Sequence, residues 1–293
     1  MKIFVCVKHV PDSAATIVVK DKNQIDERIT FLLNPYDEYA VTEAVKLKKL
    51  LDNQAEVIAV SLGTADAEKT LRSAMAMGAD RGILITTEDR QDSIITARAL
   101  KAAIEQDCNI EVKDDLYQYG DLSLIFTGRE SIDMVGMQTM FRIGAYFNIP
   151  VINNVVKFTP FIEDGRLSKA EVESLAGEGR KNIYEISCPC VLGAGRGLNT
   201  PSYPTFPDVV KARKKDVKIV PLDDLIKNLI INSIKYLISD SKFDNPQKEQ
   251  KNGAEIINLE LFAEQRTPKR IDGEPLEAAK EIVRILKQKA KVI

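Results

Sequence analysis

The chain has 293 residues, 44% of them hydrophobic, which is enough for one large packed domain or a domain with an added lobe. Its 41 lysines and arginines nearly balance 43 aspartates and glutamates, which excludes the strongly basic surface of proteins that bind nucleic acid or anionic membranes. Four cysteines fit the cytoplasm or an equivalent reducing compartment. The most apolar stretch, residues 222–238, is interrupted by charges, so we predict no transmembrane segment and a cytoplasmic protein.

Strands and helices alternate over the first 150 residues. Apolar runs predict strands over residues 2–8, 56–62, 82–86 and 121–126. Helical periodicity predicts helices from Asn34 onward and over residues 65–77, 93–105 and 134–146. This alternation predicts a doubly wound, mostly parallel α/β sheet of the Rossmann-like, adenine-nucleotide-binding type, with helices on both faces.

The first helix has a clear start signal. Asn34 is a favourable N-cap, Pro35 suits the first helical position, and Asp37 suits the positive end of the helix dipole. We therefore expect the side chain of Asn34 to cap this helix.

Beyond Pro150 the alternation stops. Short strands over 151–159, 166–175 and 182–187, joined by polar turns, predict an antiparallel addition to the sheet. After Thr200 the chain becomes rich in proline and lysine, residues 239–253 read as a polar linker, and residues 274–290 as an amphipathic helix. We predict a nucleotide-binding α/β domain over 1–200 and a C-terminal extension over 201–293.

Four segments are predicted to meet where the parallel strands end, the edge at which such sheets bind ligands. They are residues 6–9, 34–37, 62–64 and 127–139. The small-residue loop after the strand ending at Phe126 leads into a predicted helix, so its free backbone N–H groups face an anion. We predict an adenine nucleotide here, with its phosphate at this loop. Gly128 is expected to let the nucleotide approach the backbone closely, and Asp133 is expected to order the loop as a helix cap.

Other motifs point away from catalysis. The glycines at 193, 195 and 197 resemble a dinucleotide fingerprint, but Pro201, Pro204 and Pro207 disfavour the helix that it requires. No Walker A sequence is present, His9 is a single histidine, and the Cys188–Cys190 spacing offers too few ligands for a metal. We predict no catalytic residues and no metal site.

A basic run follows the proline-rich loop. Its members are Lys211, Arg213, Lys214, Lys215 and Lys218. One interpretation is a solvated helix end; the other is a docking patch for an acidic partner, supported by exposed-looking Leu198, Tyr203 and Phe206 just before it.

Several segments together resemble the β subunit of electron transfer flavoprotein over about residues 1–220. They are residues 5–12 (VCVKHVPD), 34–41 (NPYDEYAV), 74–82 (AMAMGADRG), 128–133 (GRESID) with Gln138, and the pattern from Leu198 to Pro207. The resemblance implies a heterodimer with an α subunit, onto which the C-terminal arm packs. It also implies an FAD held mainly by α, and either AMP or, in electron-bifurcating members, a second FAD in this chain.

The resemblance also implies site residues and roles. The cofactor contacts are Cys6, Asn34, Pro35, Tyr36, Asp37, Leu62, Gly128, Arg129, Glu130, Ser131, Ile132, Asp133, Gln138 and Thr139, and the docking residues are Leu198, Tyr203, Lys211 and Lys214. The expected function is electron transfer from acyl-CoA or related dehydrogenases to a quinone-reducing or other acceptor, without substrate chemistry of its own. Two alternatives stay open: a bifurcating β subunit that oxidises NADH at a second FAD, and a non-redox nucleotide-sensing protein.

Overall fold

A computed structural model of the chain describes residues 1–21, 24–25, 29–113, 116–227 and 270–290. The predicted linker over residues 239–253 and most of the apolar stretch over 222–238 lie outside these residues. The described residues divide into two compact units. The first takes those within 1–17 and 26–256, and the second takes those within 18–25 and 257–293.

The described strands and helices follow in chain order. The strands are β1 (Lys2–Cys6), β2 (His9–Pro11), β3 (Val19–Asp21), β4 (Gln24–Ile25), β5 (Phe31–Leu33), β6 (Glu56–Gly63), β7 (Arg81–Thr86), β8 (Glu111–Lys113), β9 (Leu116–Gln118), β10 (Leu122–Gly128), β11 (Val151–Glu163), β12 (Arg166–Leu175), β13 (Lys181–Ser187), β14 (Val191–Ala194) and β15 (Val217–Pro221). The helices are α1 (Pro35–Leu50), α2 (Glu68–Ala76), α3 (Ser93–Cys108), α4 (Thr139–Phe147), α5 (Phe206–Ala212) and α6 (Pro275–Ile285). Short 3-10 helices cover Ala65–Ala67 and Gly177–Gly179, and a π-helical turn covers Leu286–Ala290.

The first unit is built on a nine-stranded sheet, counted over the described residues. Its strand order is β13-β12-β11-β14-β10-β1-β6-β7-β15. The seven strands from β11 to β15 in this order run parallel to one another, and β12 and β13 extend the sheet beyond β11 with antiparallel pairings. This confirms the predicted doubly wound, mostly parallel fold with an antiparallel addition.

Both faces of the sheet are covered, because alternate side chains of each parallel strand enter opposite cores. Ile3 and Val5 of β1 join the core beneath α1 and α2, whereas Phe4 and Cys6 join the core beneath α3 and α4. The two layers leave the ends of the parallel strands free to carry loops, which is where ligands bind in this architecture.

Three predicted elements differ from the structure. The predicted helix over residues 134–146 begins only at Thr139, so ten residues separate it from the end of β10. The basic run is not one helix end, because Lys211 lies in α5 while Lys218 lies in the parallel strand β15. A helix does form among the prolines, since Pro207 occupies its first turn, where a missing N–H costs little.

The second unit contains the short pair β3–β4 and the helix α6, which confirms the predicted C-terminal helix. None of the described residues of α6 is buried, and Leu276, Ile282 and Val283 are exposed. Among the described residues, no helix combines the length and hydropathy that spanning a bilayer requires.

Candidate functional site

The carboxylate of Asp37 joins the loops at the ends of β1 and β10. One of its oxygens accepts a hydrogen bond from the backbone N–H of Lys8 at 2.7 Å. The other accepts from the backbone N–H of Gly128 at 3.0 Å and from the amide of Asn34 at 3.0 Å. Asp37 is only 4% exposed, so these bonds are shielded from competing water. The start of α1 therefore fixes the positions of both strand ends.

Asn34 ties the next part of the loop to the same helix start. Its side-chain oxygen accepts from the N–H of Ile132 at 3.2 Å, and its amide nitrogen donates to the carbonyl of Glu130 at 2.9 Å. The predicted cap was wrong: Asn34 occupies the N-cap position, but its side chain makes no capping hydrogen bond. Both polar atoms are used to hold the loop after β10 instead.

Burial raises the pKa of Asp37 to about 7, against hydrogen bonds from Asn34, Lys8 and Gly128 that lower it. All three bonded groups donate, so their hydrogen bonds favour the ionised carboxylate, whereas burial favours the protonated one more strongly. The site thus keeps a carboxylate that is costly to ionise at the point where two loops meet.

The loop between β10 and α4 leaves backbone donors free. Within the part of the chain that the structure describes, the N–H groups of Gly136, Met137 and Gln138 make no hydrogen bond, and α4 starts directly after them. Val135 and Met137 have φ values of 52° and 51°, which places two non-glycine residues in the left-handed region. Successive free N–H groups beside a helix N-terminus form a concavity suited to an anion.

Asp133 is not at a helix start, so its predicted role as a helix cap was wrong. It pairs with the ammonium of Lys8 at 2.7 Å and with Arg90 at 3.4 Å. Burial raises the pKa of Asp133, but the charge and hydrogen bond of Lys8, a hydrogen bond from Ser131 and the charge of Arg90 outweigh it and lower the pKa below its usual value. The sequence placed Lys8 within the predicted segment 6–9, but it gave neither Lys8 nor Arg90 a role in the site. A role for Arg90 could have been predicted, because Arg90 lies in the loop that follows the parallel strand β7 at the same end of the sheet.

Arg129 and Glu130 form a partly buried pair beside Tyr36. The Arg129 guanidinium lies 2.9 Å from the Glu130 carboxylate and 5.4 Å from the centre of the Tyr36 ring. Nε of Arg129 and one carboxylate oxygen of Glu130 are buried without a hydrogen-bond partner among the described residues. Polar atoms left in this way are uncommon in folded proteins and mark a place where a bound group can supply the missing bonds.

Gly128 is required by the protein itself. A Cβ there would lie 2.3 Å from a carboxylate oxygen of Asp37 and 2.7 Å from the Tyr36 Cβ. The predicted reason for a glycine, close approach of a nucleotide, is therefore not needed to explain it. A larger side chain at position 128 would therefore disturb the packing against Asp37 and Tyr36, whether or not a ligand binds there.

The remaining predicted contacts surround this loop. Pro35 lies in the first turn of α1, and Leu62 near the end of β6. Gln138 accepts hydrogen bonds from Ser93 at 3.0 Å and Arg142 at 2.9 Å, immediately before Thr139 opens α4.

The nucleophilic groups near the edge are unsuited to catalysis. Burial, with a smaller contribution from the charge of Asp37, raises the pKa of Cys6 to about 12, so its thiol stays protonated. His9 bonds to Thr70 at 2.7 Å and stacks on Phe31, and burial lowers its pKa. Cys6 and His9 therefore serve packing rather than chemistry.

The predicted docking residues lie on a different part of the first unit. Tyr203 and Phe206 are 88% and 81% exposed, and Lys211 and Lys214 are exposed as well. Leu198 is not fully exposed as expected, because it packs against the core beneath α1. The aromatic residues, rather than Leu198, present the larger apolar surface.

Comparison with known proteins gives consistent matches. A family description of the electron transfer flavoprotein domain matches residues 23–225. The chain is 31% identical to the electron transfer flavoprotein subunit beta of Bacillus subtilis over the full length of both chains. It is 35% identical to that of Thermoanaerobacterium thermosaccharolyticum over 77% of this chain and 80% of the other. It is 32% identical to the human subunit over 77% of this chain and 83% of the other.

Proposed function

The chain belongs to the electron transfer flavoprotein family, and from this premise we propose that it is the β subunit of a heterodimer that carries electrons. Its partner is an α subunit, and the two share one redox-active FAD held mainly by α. The carrier takes electrons from acyl-CoA or related dehydrogenases and passes them to a quinone-reducing or other acceptor. Within this chain we propose one bound AMP.

One observation carries the proposal for AMP. Asp37 and Asn34 fix the loop after β10 so that the N–H groups of Gly136, Met137 and Gln138 stay unpaired beside the start of α4. This arrangement offers a phosphate several donors from a pre-ordered backbone. Lys8 and Arg90 bring positive charge to the same loop, where both pair with Asp133.

A carrier role is consistent with the chemistry of the edge. Cys6 stays protonated and His9 is held by Thr70, so the described part of the edge holds no activated nucleophile. The chain then contributes binding and docking, while the flavin supplies the electron chemistry. The exposed Tyr203 and Phe206 with Lys211 and Lys214 support docking to a partner protein through an aromatic anchor with basic surroundings.

One observation favours the bifurcating alternative. Met134, Val135 and Met137 expose an apolar surface next to the free N–H groups, and such a surface suits a larger ring system than a mononucleotide carries. We keep AMP as the proposal because the family resemblance extends to ordinary members as well. The bound nucleotide decides between them.

The proposal is tested by producing the chain with and without its α subunit. We expect a yellow heterodimer from co-expression, and a poorly soluble or flavin-free chain when it is produced alone. Flavin reduction by an acyl-CoA dehydrogenase, itself reduced with its substrate, should follow mixing in a stopped-flow instrument. An isolated chain that is monodisperse and holds one redox-active flavin tightly would overturn the heterodimer proposal.

A further inference from the structure

The stretch between Leu198 and the start of α5 has no regular secondary structure. Residues 199–205 belong to neither a helix nor a strand, yet Tyr203 within them is 88% exposed. Such a stretch has no backbone ladder to hold it, so its order depends on individual bonds to neighbouring elements. Those bonds go to the middle of α1.

Asn199 makes the first of these bonds. Its side-chain nitrogen donates to the backbone carbonyl of Tyr39 at 2.9 Å and to the carboxylate of Glu43 at 2.7 Å. Glu43 is 9% exposed, and its carboxylate lies 3.6 Å from the ammonium of Lys46. Because both atoms facing Asn199 only accept hydrogen bonds, the amide nitrogen must point toward them. The side-chain oxygen of Asn199 is left buried without a partner among the described residues.

A second bond holds the same stretch three residues later. The backbone N–H of Ser202 donates to the hydroxyl of Thr42 at 3.1 Å, and Thr42 is only 5% exposed. Beyond it, Thr205 and Asp208 form a capping box that starts α5. The exposed Tyr203 therefore lies between one tether to α1 and the capped start of a helix.

We propose that Glu43 and Asn199 are positioning residues for partner docking. This rests on the proposed function of residues 198–214 as the docking segment, defined as Leu198, Tyr203, Phe206 and the lysines that follow. The buried pair keeps the segment ordered before the partner arrives, so that little conformational entropy is lost on docking. Neither residue has to touch the partner to have this effect.

The decisive variant is Asn199→Asp in the heterodimer. It is nearly isosteric, but it replaces the donating nitrogen with an oxygen that faces the carbonyl of Tyr39 and the carboxylate of Glu43. In the double variant Asn199→Asp with Glu43→Gln, the new amide at position 43 donates to the new carboxylate, which restores one of the two bonds. Asn53→Asp is the matched control, because Asn53 is exposed just beyond the other end of α1. Tyr203→Ala tests the docking segment itself.

The measurement is steady-state electron transfer from an acyl-CoA dehydrogenase as a function of heterodimer concentration. We expect Asn199→Asp to raise KM about tenfold with kcat and flavin content unchanged, since the loss is one of pre-organisation. The double variant should recover part of this, and Asn53→Asp should behave as wild type. A wild-type KM in Asn199→Asp beside a raised KM in Tyr203→Ala would overturn the positioning role and keep the docking segment. Wild-type values in both variants would instead remove the docking segment from the proposed function. A raised KM without recovery in the double variant, with lowered thermal stability, would contradict the inference as well.

Discussion

The two ends of the parallel sheet use carboxylates in opposite ways. At the amino end, Arg81 pairs with Glu56 at 2.8 Å and with Asp107 at 2.6 Å, and Lys2 pairs with Asp107 at 2.9 Å. At the carboxyl end, Asp37 bonds to backbone N–H groups of two loops. In the first arrangement, opposite charges pair with one another. In the second, a carboxylate holds the backbone of two loops at the end of the sheet where we propose that a ligand binds.

The difference shows in the pKa values of the two aspartates. Burial raises the pKa of Asp107, but the hydrogen bonds and charges of Arg81 and Lys2 outweigh it and lower the pKa below its usual range. Burial dominates at Asp37 and raises its pKa to about 7. The ion pairs therefore stabilise the amino end of the sheet. At the carboxyl end, ionisation of Asp37 costs free energy, and this cost accompanies the ordering of the two loops.

Gly128→Val is expected to break the carboxyl end most severely. The new side chain collides with Asp37 and Tyr36, both fixed by α1, so we expect a loss of about 3 kcal/mol in the free energy of unfolding of the heterodimer. Chemical denaturation at a fixed subunit concentration measures it. Gly136→Ala is the control, since a Cβ there meets nothing within 4 Å. Equal stability of the two variants would contradict the close packing of Gly128.

Opposite pH trends are expected at the two ends. Asp37 has a folded pKa raised from 3.8 to about 7, so its contribution to stability is fully present below the lower value and is lost as pH rises through the higher one. The slope is about 1.4 kcal/mol per pH unit between these values. Asp107 has a lowered folded pKa, so its contribution is present above the unfolded pKa and is lost as pH falls. Unfolding free energies of Asp37→Asn and Asp107→Asn, compared with wild type from pH 2 to 8, test both signs, because the Asp107 contribution is lost only below its ordinary pKa of 3.8.

That comparison has a clear negative result. Removing Asp37 should flatten the wild-type loss of stability toward pH 7, whereas removing Asp107 should flatten the loss toward low pH. If both variants changed the same limb of the profile, the contrast between the two ends would be wrong.

A smaller effect is expected from the ion pair of Asp133 with Lys8. Both this pair and the pair of Asp66 with Lys69 have a 2.7 Å contact, but the Asp133 side chain is 11% exposed and that of Asp66 is 69% exposed. Lys8 is itself partly exposed, so we expect Asp133→Ala to cost about 1 kcal/mol or less, and Asp66→Ala to cost nothing measurable. Thermal unfolding of the two heterodimer variants checks the order, and a larger loss in Asp66→Ala would contradict it.

The smallest effect on stability is expected at the basic surface. Lys211 and Lys214 are exposed, so their replacement by glutamate should leave unfolding unchanged and slow association with a partner dehydrogenase. The slowing should fade as salt is raised beyond the concentration at which the Debye length is ~8 Å. Stopped-flow reduction at low and high salt measures it. A loss that does not depend on salt would indicate a structural role instead.

The sequence was sufficient to predict the central strands, because β1, β6, β7 and β10 are apolar runs between clear turn signals. It misplaced the start of α4, since Met134 and Met137 extend the apolar spacing of a helix that begins only at Thr139. The edge strand β15 was not predicted. It includes exposed Lys218 and Ile219 and therefore lacks the burial pattern of the central strands.

The candidate site was predictable in place but not in detail. The rule that ligands bind at strand ends selected residues 34–37 and the loop after β10. It could not show that the carboxylate of Asp37 bonds to the N–H of Gly128, ninety-one residues away in the chain. Contacts between residues so far apart in the chain depend on the folded arrangement of the sheet, and local sequence patterns do not predict them.

The most direct test of the account is the identity of the nucleotides released when the purified heterodimer is denatured. If the carboxyl edge of this chain holds a mononucleotide, one AMP and one FAD should be released per heterodimer. Release of two FAD would keep the edge as a nucleotide site but replace AMP with the second flavin of a bifurcating protein. Release of a single FAD and no second nucleotide would contradict the central claim that this edge binds one.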